Sequence, residues 1–140
     1  MQHYSRLIGI DVGTKRVGIA QTDLLKTIAS PVGTYSPDQA LTELGKIIEN
    51  APVDKFVVGW PLAPNGEEGS ATQMAQDFID KLQQLFPNIE VAKVDERFTS
   101  NIARELMVTA GVPKKKRKEK GRVDKIAAAV ILQTYLDSNI

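Results

Sequence analysis

Several residue types are scarce in this chain, and each scarcity excludes a class of function. The 140 residues include no cysteine and a single histidine, His3. The chain therefore has no disulfide, no thiolate metal site and no cysteine nucleophile. Because His3 lies near the amino terminus, where chains tend to fray, it is poorly placed for acid–base catalysis. If the protein is an enzyme, a metal-centred mechanism is what remains.

Long apolar stretches are also missing. No run approaches the ~18 residues needed to cross a bilayer, and residues 1–6 lack the apolar core of a signal peptide. We therefore expect a cytoplasmic protein without a membrane partner. At 140 residues, with 42% hydrophobic and 25% charged residues, the chain is expected to form one globular domain over residues 1–140.

Charge is nearly balanced overall but unevenly distributed. The formal net charge is +1, so the chain as a whole is not a bulk polyanion binder. Residues 114–120 read K-K-K-R-K-E-K, whereas the acids are spread along the rest of the sequence. Such a tract favours contact with nucleic-acid phosphates over the alternative of a solvated loop. The candidate phosphate-binding residues are Lys114, Lys115, Lys116, Arg117 and Lys118.

Apolar runs and turn residues predict the strands and the fold class. Strands are expected at residues 7–10, 17–20, 28–35, 55–60 and 89–94, the third of them at a sheet edge because it contains Pro31. The predicted element order is βββαβαβαα. This order favours an α/β fold with a mixed sheet that starts as a hairpin and continues through parallel crossovers.

Helix signals fill the intervals between the strands. Ser36 is the expected N-cap of a first helix that ends near residue 50, and Ser70 with Gln73 forms the capping box expected for a second. The second helix is predicted to bury Met74, Phe78, Leu82 and Leu85. A third helix is capped by Thr99 or Ser100. The last, over residues 123–136, is predicted to bury Ile126, Ala127, Val130 and Ile131.

The chain is organised around residues 7–20, L-I-G-I-D-V-G-T-K-R-V-G-I-A. A buried strand ends on Asp11, Gly13 supplies a turn that can adopt positive φ, and a second strand follows. A carboxylate at this position needs a cation or hydrogen-bond donors, although Asp is also a common turn residue. The D-x-G-T segment also resembles the first phosphate loop of actin-like ATPases, but the chain is too short for their two lobes.

Two further acids occupy ends of elements, as Asp11 does. Glu96, or its neighbour Asp95, directly follows a strand, and Asp124 opens the last helix. Functional groups in mixed α/β sheets gather at the carboxyl ends of parallel strands. Three converging carboxylates repel one another unless divalent cations neutralise them, and hard oxygen ligands suit Mg²⁺ or Mn²⁺. The matching chemistry is metal-assisted hydrolysis of phosphodiester bonds.

Each acid also has a structural interpretation. The negative charge of Asp124 in the first turn of a helix would interact favourably with the helix dipole, whatever its other role. Glu96 could pair with Arg97 or cap a helix with Thr99. The spacing of the acids alone does not decide between these interpretations and a metal site.

Four segments in order resemble the YqgF/RuvX family of pre-16S rRNA nucleases, which are also described as Holliday junction resolvase-like proteins. They are G-I-D-V-G-T-K-R-V-G-I-A at 9–20, V-G-W-P-L at 58–62, V-D-E-R-F-T-S at 94–100 and D-K-I-A-A-A-V-I-L-Q-T-Y-L at 124–136. The resemblance covers nearly the whole chain. It departs from the usual pattern at Trp60, which stands before Pro61 in the middle motif as an aromatic variant.

The resemblance implies an RNase H-like fold and a role in maturing the 5′ end of 16S rRNA. The family's acidic triad maps onto Asp11, Glu96 and Asp124. Basic positions of the motifs, which are candidates for phosphate contacts, are Lys15, Arg16 and Arg97. Two alternatives keep the fold: a resolvase of branched DNA, and a non-catalytic rRNA-binding assembly factor. A monomer and a homodimer are both compatible with the sequence.

Overall fold

The computed structural model describes residues 4–96 and 120–138, with the side chains of the second segment from Lys125 onward. The described strands are β1 (Arg6–Val12), β2 (Val17–Thr22), β3 (Ala29–Tyr35), β4 (Val53–Trp60) and β5 (Glu90–Asp95). The described helices are α1 (Pro37–Asn50), α2 (Ser70–Leu85) and α3 (Lys120–Ser138). The helix predicted near residues 99–110 lies outside the described residues. No helix in the described ranges is long and apolar enough to cross a membrane.

The five strands form one mixed sheet in the order β3-β2-β1-β4-β5. β1 pairs antiparallel with β2, as does β2 with β3, whereas β1–β4 and β4–β5 are parallel. This confirms the predicted mixed sheet with a hairpin start and parallel crossovers, and it places β3 at an edge. The carboxyl ends of β1, β4 and β5 consequently lie along one side of the sheet, here called the carboxyl edge.

The β1–β2 hairpin closes through a four-residue loop. Val12 pairs with Val17, and the backbone N–H of Gly13 donates to the carbonyl of Arg16 at 2.8 Å. Gly13 lies in the predicted turn but does not use the positive φ open to glycine, since the described residues with positive φ are Lys26 and Gly66. Gly13 matters for space instead, because a Cβ there would stand 3.0 Å from the Arg16 carbonyl oxygen.

Helices cover both faces of the sheet, and a core cluster lies on each side. The cluster under α1 and α2 includes Ile8, Ile10, Val17, Ile19, Ala40, Leu44, Phe56, Val58, Phe78, Ile79 and Leu82. The cluster under α3 includes Leu7, Ala20, Val57, Ala128, Ala129, Ile131 and Leu132. Alternate residues of each central strand thus face opposite clusters, as the two-residue period of a strand requires.

The predicted N-cap is confirmed for α1 and is wrong for α2. Ser36 caps α1 as predicted, and its hydroxyl accepts from the Gln39 backbone at 3.3 Å. The capping box predicted from Ser70 is wrong, because Gly69 occupies the N-cap of α2. Thr72 then does the capping: its hydroxyl accepts from the Gly69 N–H at 3.0 Å and donates to the Pro61 carbonyl at 2.6 Å.

The buried side of α2 is also shifted relative to the prediction. Phe78 and Leu82 are buried as expected, but Met74 is only partly buried and Leu85 is exposed. Ala75 and Ile79 supply the remaining buried contacts. Leu85 is the last residue of the helix, and the following residue, Phe86, packs against the cluster in its place.

Helix α3 packs closely on the sheet through small residues. A Cβ at Gly9 would stand 2.6 Å from the backbone oxygen of Ala128 and 2.8 Å from the Cβ of Leu132. Val130 and Ile131 are buried as predicted. The prediction that Ile126 and Ala127 are buried is wrong, since both are only partly covered. The contact that fixes α3 lies one turn further along the helix.

Candidate active site

Asp11 lies near the end of β1, on the face covered by α3. It pairs with Gly18 across the hairpin. By strand alternation it shares its face with Leu7 and Gly9, which belong to or contact the α3 side. Asp11 is partly buried. Its carboxylate is therefore held on a rigid central strand and largely removed from water.

Glu96 directly follows β5 and extends over β4. A Cβ at Gly59 would stand 2.6 Å from the carboxyl carbon of Glu96 and 2.7 Å from Cδ1 of Ile131. Gly59 thus leaves the space that the Glu96 carboxyl group fills beneath α3. The sequence showed Gly59 only as one residue of a buried strand, so this contribution to the site was not predicted.

Asp11 and Glu96 form a hydrogen-bonded carboxyl pair. Burial is the largest cause that raises the pKa of Glu96, to about 9, followed by the hydrogen bond and the charge of Asp11. Burial also raises the pKa of Asp11, although the hydrogen bond from Glu96 opposes that rise. A pKa of about 9 keeps a proton on Glu96 at neutral pH, and this carboxyl group donates the hydrogen bond to Asp11. A bound cation is the other way to relieve the repulsion of two such carboxylates.

The structure distinguishes Glu96 from its neighbour. Asp95 is the last residue of β5 and pairs with Trp60, whose ring packs against the cluster under α1 and α2. Paired residues share a face of a sheet, so Asp95 belongs to the face opposite Asp11. Of the two acids, Glu96 is the one that reaches Asp11. The suggested pairing of Glu96 with Arg97, or capping with Thr99, involves residues outside the described ranges.

Asp124 is the fifth residue of α3, so the prediction that it opens the helix is wrong. Its side chain lies outside the described part. The course of α3 is nevertheless clear, because Tyr135 accepts a 2.6 Å hydrogen bond from Lys55 near the start of β4, whereas Ile131 lies beside Gly59 near its end. The helix therefore runs antiparallel to β4, and its amino-terminal turns lie towards the carboxyl edge.

Two of the predicted phosphate-binding residues lie within five residues of Asp11 in the sequence. Lys15 and Arg16 are exposed in the loop that follows Asp11. The other predicted basic residues lie outside the described ranges: Arg97, Lys114, Lys115, Lys116, Arg117 and Lys118.

The donor set of the pair suits a hard divalent cation. Mg²⁺ and Mn²⁺ prefer carboxylate oxygens, and two buried acids at a sheet edge supply them. Within residues 4–96 and 125–138, no group of three or more His, Cys, Asp or Glu side chains is positioned to hold a metal. The described part of the chain thus supplies two candidate ligands, which is few for a complete site.

The architecture is that of the RNase H-like class. Over 96% of each chain, the structure resembles that titled "T. thermophilus RuvC in complex with Holliday junction substrate", with a TM-score of 0.57 and 11% identity. A second solved structure, titled "Thermus thermophilus RuvC structure", covers 95% of this chain and 96% of that one, with a TM-score of 0.53 and 11% identity. At this identity the likeness establishes the fold alone, and it confirms the predicted RNase H-like fold.

The chain belongs to the RuvX family, whose model, described as "RuvX: Holliday junction resolvase", matches residues 5–138. A relative from Salinibacter ruber is 47% identical and covers 95% of this chain and 93% of its own length. A relative from Parabacteroides distasonis is 44% identical and covers 95% of each chain. Both relatives carry the name "Putative pre-16S rRNA nuclease".

Proposed function

We propose that this protein is a divalent-metal-dependent nuclease that hydrolyses phosphodiester bonds in precursor 16S rRNA, and that residues 1–140 form one RNase H-like domain. The observation that carries the proposal is the buried Asp11–Glu96 pair. Removing two carboxyl groups from water costs stability unless they bind something. A site that raises the pKa of a glutamate to about 9 without a cation is typical of functional clusters rather than of ordinary packing.

In this mechanism Asp11, Glu96 and Asp124 would hold Mg²⁺ or Mn²⁺. When bound, the metal lowers the pKa of water and stabilises charge on the phosphate being cleaved. The strand that carries Asp11 and the space above Gly59 hold the two carboxyl groups in place before substrate arrives, so little reorganisation of the site is needed. Loading the site would release the proton held on Glu96, because metal ligands bind as carboxylates.

Substrate binding is assigned to the basic residues beside the acids. Lys15 and Arg16 lie four and five residues after Asp11, in the β1–β2 loop, and are exposed to phosphates from the solvent side. Arg97 and the basic tract at 114–118 are assigned the same role in phosphate binding. Each phosphate contact is expected to contribute about 0.7–0.9 to the slope of log K against log salt concentration.

The names of the relatives favour RNA as the substrate, and the name of the family favours a second candidate. "Putative pre-16S rRNA nuclease" is the name that the relatives above share. The family description, Holliday junction resolvase, favours branched DNA instead. Both substrates call for the same cluster of acids, so a direct comparison of the two must decide.

The test is cleavage of a transcript that carries the precursor 5′ leader of 16S rRNA, with Mg²⁺ or Mn²⁺ supplied. We compare the wild type with Asp11→Asn and Glu96→Gln, each purified identically. A four-way DNA junction is tested in parallel at matched salt. The expected result is metal-dependent cutting of the transcript by the wild type and loss of cutting in both variants.

Asp38→Asn is the matched control, because Asp38 is an exposed acid in the first turn of α1 and should leave cutting unchanged. Faster cutting of the junction would replace the RNA substrate with branched DNA. Binding of the transcript without cutting by any variant would reject the nuclease and favour a non-catalytic assembly factor.

A further inference from the structure

A second concave surface lies at the carboxyl edge, on the opposite face of the sheet from the carboxyl pair. It is an open cleft of about 390 Å³ between the end of β4, the start of α2 and β5. This volume is within the ~300–1,000 Å³ typical of small-ligand sites. Its lining includes Trp60, Gly69, Thr72, Gln73, Gln76 and Lys93.

Trp60 joins the cleft to the site already described. It is the residue after Gly59, and successive strand residues face opposite sides of a sheet. Gly59 therefore receives Glu96 on the α3 face, while Trp60 lines the cleft on the other. The two sites lie on either side of one strand end, so a single extended polymer passing over the carboxyl edge would meet both.

The Trp60 ring in the cleft forms a cation–π contact with the flexible side chain of a lysine. The Lys93 ammonium lies 3.9 Å from the centroid of the Trp60 ring and donates to the Gln76 amide oxygen at 3.3 Å. Lys93 is exposed, and Trp60 is partly buried. A cation–π contact at an exposed site is weaker than the stacking of a nucleobase on an indole ring. A base can therefore displace the ammonium from the ring.

The remaining lining supplies the polar groups that a base requires. Gln73 and Gln76 offer amide groups, whose nitrogens donate to Asp77 and Asp80 at 2.9 Å each and would exchange these exposed hydrogen bonds for a base. Glu68 offers an acceptor at the rim. The displaced Lys93 would keep its charge close by, where the phosphate of the same nucleotide lies. Packing against the core accounts for the inner edge of Trp60 but not for the cation that lies over its exposed part.

We propose that this cleft binds one unpaired nucleotide of the substrate, with its base stacked on Trp60 and its phosphate held by Lys93. The proposal deepens the nuclease assignment, on which it rests for the identity of the polymer. The shared chemistry is that of single-stranded nucleic acid, which either RNA or DNA provides. It predicts that cleavage sites are flanked by at least one unpaired nucleotide.

The chain contains one tryptophan, so its tryptophan fluorescence, excited at wavelengths that tyrosine does not absorb, reports this cleft alone. The full-length protein is titrated with a 12-nucleotide single-stranded RNA in EDTA, which prevents metal-dependent cutting. Single-stranded DNA and a blunt RNA duplex of the same sequence form the other arms. We expect stacking to quench the fluorescence with single strands and to leave it unchanged with the duplex.

Variants separate stacking from charge. Trp60→Ala is expected to weaken single-strand binding about 5- to 100-fold, while Trp60→Phe stays near the wild type because it keeps an aromatic face. Lys93→Ala is expected to lower the salt slope by about 0.7. The matched controls are Tyr4→Ala, an exposed aromatic before β1, and Lys81→Ala, an exposed lysine of α2 outside the cleft.

An RNA with one abasic position tests whether a base, rather than the backbone, contacts Trp60. It should bind the wild type more weakly when the missing base is the stacked one, and the difference should vanish in Trp60→Ala. Unchanged wild-type fluorescence on saturation with either single strand would overturn the proposal, even if Trp60→Ala failed to fold. Equal quenching by the duplex would also overturn it, since paired bases cannot stack on the ring.

The outcome is separable from that of the proposed function. Asp11→Asn should retain the fluorescence change while losing cleavage. Quenching by single strands without cleavage by any variant would leave the nucleotide cleft standing and reject the nuclease. Cleavage by the wild type without quenching would support the nuclease and reject the nucleotide cleft. Stronger quenching by DNA than by RNA would keep the cleft and reassign the polymer.

Discussion

The carboxyl group of Glu96 occupies the space that a side chain at Gly59 would fill. A Cβ placed on Gly59 would stand 2.6 Å from the Glu96 carboxyl carbon, a distance that real Cβ contacts do not reach. The glycine of one strand thus positions the acid that follows the next strand. This relationship ties the chemistry of the site to the backbone of β4.

Gly59→Ala is therefore expected to displace Glu96 and to reduce metal-dependent cleavage by roughly 10–100-fold, as the loss of support around a metal ligand typically does. The measurement is the cleavage rate over a titration of Mn²⁺, which should show weaker metal affinity. Gly45→Ala is the control, because nothing lies within 4 Å of a Cβ at that position in α1. Wild-type metal affinity in Gly59→Ala would contradict this role of the glycine.

Gly9→Ala tests the approach of α3 to the sheet. The added Cβ would meet the Ala128 backbone oxygen at 2.6 Å, and a helix backbone cannot yield as a flexible side chain can. Overpacking of this kind costs about 1–3 kcal/mol, which urea unfolding would measure. Gly45→Ala should instead stabilise the protein by about 0.5–1 kcal/mol, because alanine is the better helix former. Equal stability of Gly9→Ala and the wild type would refute the close contact.

The carboxyl pair predicts a pH-dependent stability in the absence of metal. The pKa of Glu96 is about 9 when folded and 4.5 for the free group, so the folded state binds this proton more tightly. The stabilisation is complete below pH 4.5 and is lost as the pH rises through about 9, on the order of a few kcal/mol in total. Thermal unfolding in EDTA across this range measures it.

The control for that pH series is Glu96→Gln, which should lack the part of the slope that Glu96 contributes and be more stable than the wild type at alkaline pH. Adding Mn²⁺ should raise the melting temperature of the wild type at pH 8 and change that of Glu96→Gln much less. Identical pH profiles of the two proteins would show that the pair does not share a proton.

Asp23 predicts a second pH effect, far from the site, in the turn between β2 and β3. Its carboxylate accepts from the Thr27 backbone and hydroxyl at 2.7 Å each and from the Ile28 backbone at 3.0 Å. These hydrogen bonds, with that from Ile28 the largest, lower the pKa of Asp23 to about 2. Their stabilisation is present above pH 3.8 and is lost as the pH falls through about 2.

Asp23→Ala should accordingly melt at a lower temperature than the wild type at pH 6, and the difference should shrink towards pH 2. Scanning calorimetry at several pH values measures this gap. Asp38→Asn serves as the comparison, because this exposed acid lies in another element. A gap that stayed constant down to pH 2 would mean that the carboxylate charge contributes nothing to the turn.

The sequence predicted those parts of the fold that depend on local pattern. Alternation and apolar runs gave the five strands, and Pro31 indicated the edge position of β3 that the sheet order confirms. Ser36 marked the start of α1 because its side chain alone satisfies a free backbone N–H. The start of α2 was misplaced because Thr72 caps it through the Pro61 carbonyl, a contact with the preceding loop that no local motif encodes.

For the site, the sequence identified the candidate acids but not their geometry. Asp11 and Glu96 stood at the ends of elements, and their proximity follows from strands that are neither adjacent in the chain nor paired with each other. The contribution of Gly59 depends on a side chain from another strand and was therefore invisible in the sequence. So was the contact between Lys93 and Trp60, which joins residues from two parallel strands.

The order in which the chain is made adds a consequence to the position of α3. All five strands leave the ribosome before this helix, so a nascent chain presents the apolar face of Leu7, Ala20 and Val57 uncovered. Folding of that layer waits for the carboxyl-terminal segment. Asp124 arrives in the same segment, and the hydrolytic centre proposed above is thus completed only after the rest of the sheet has been synthesised.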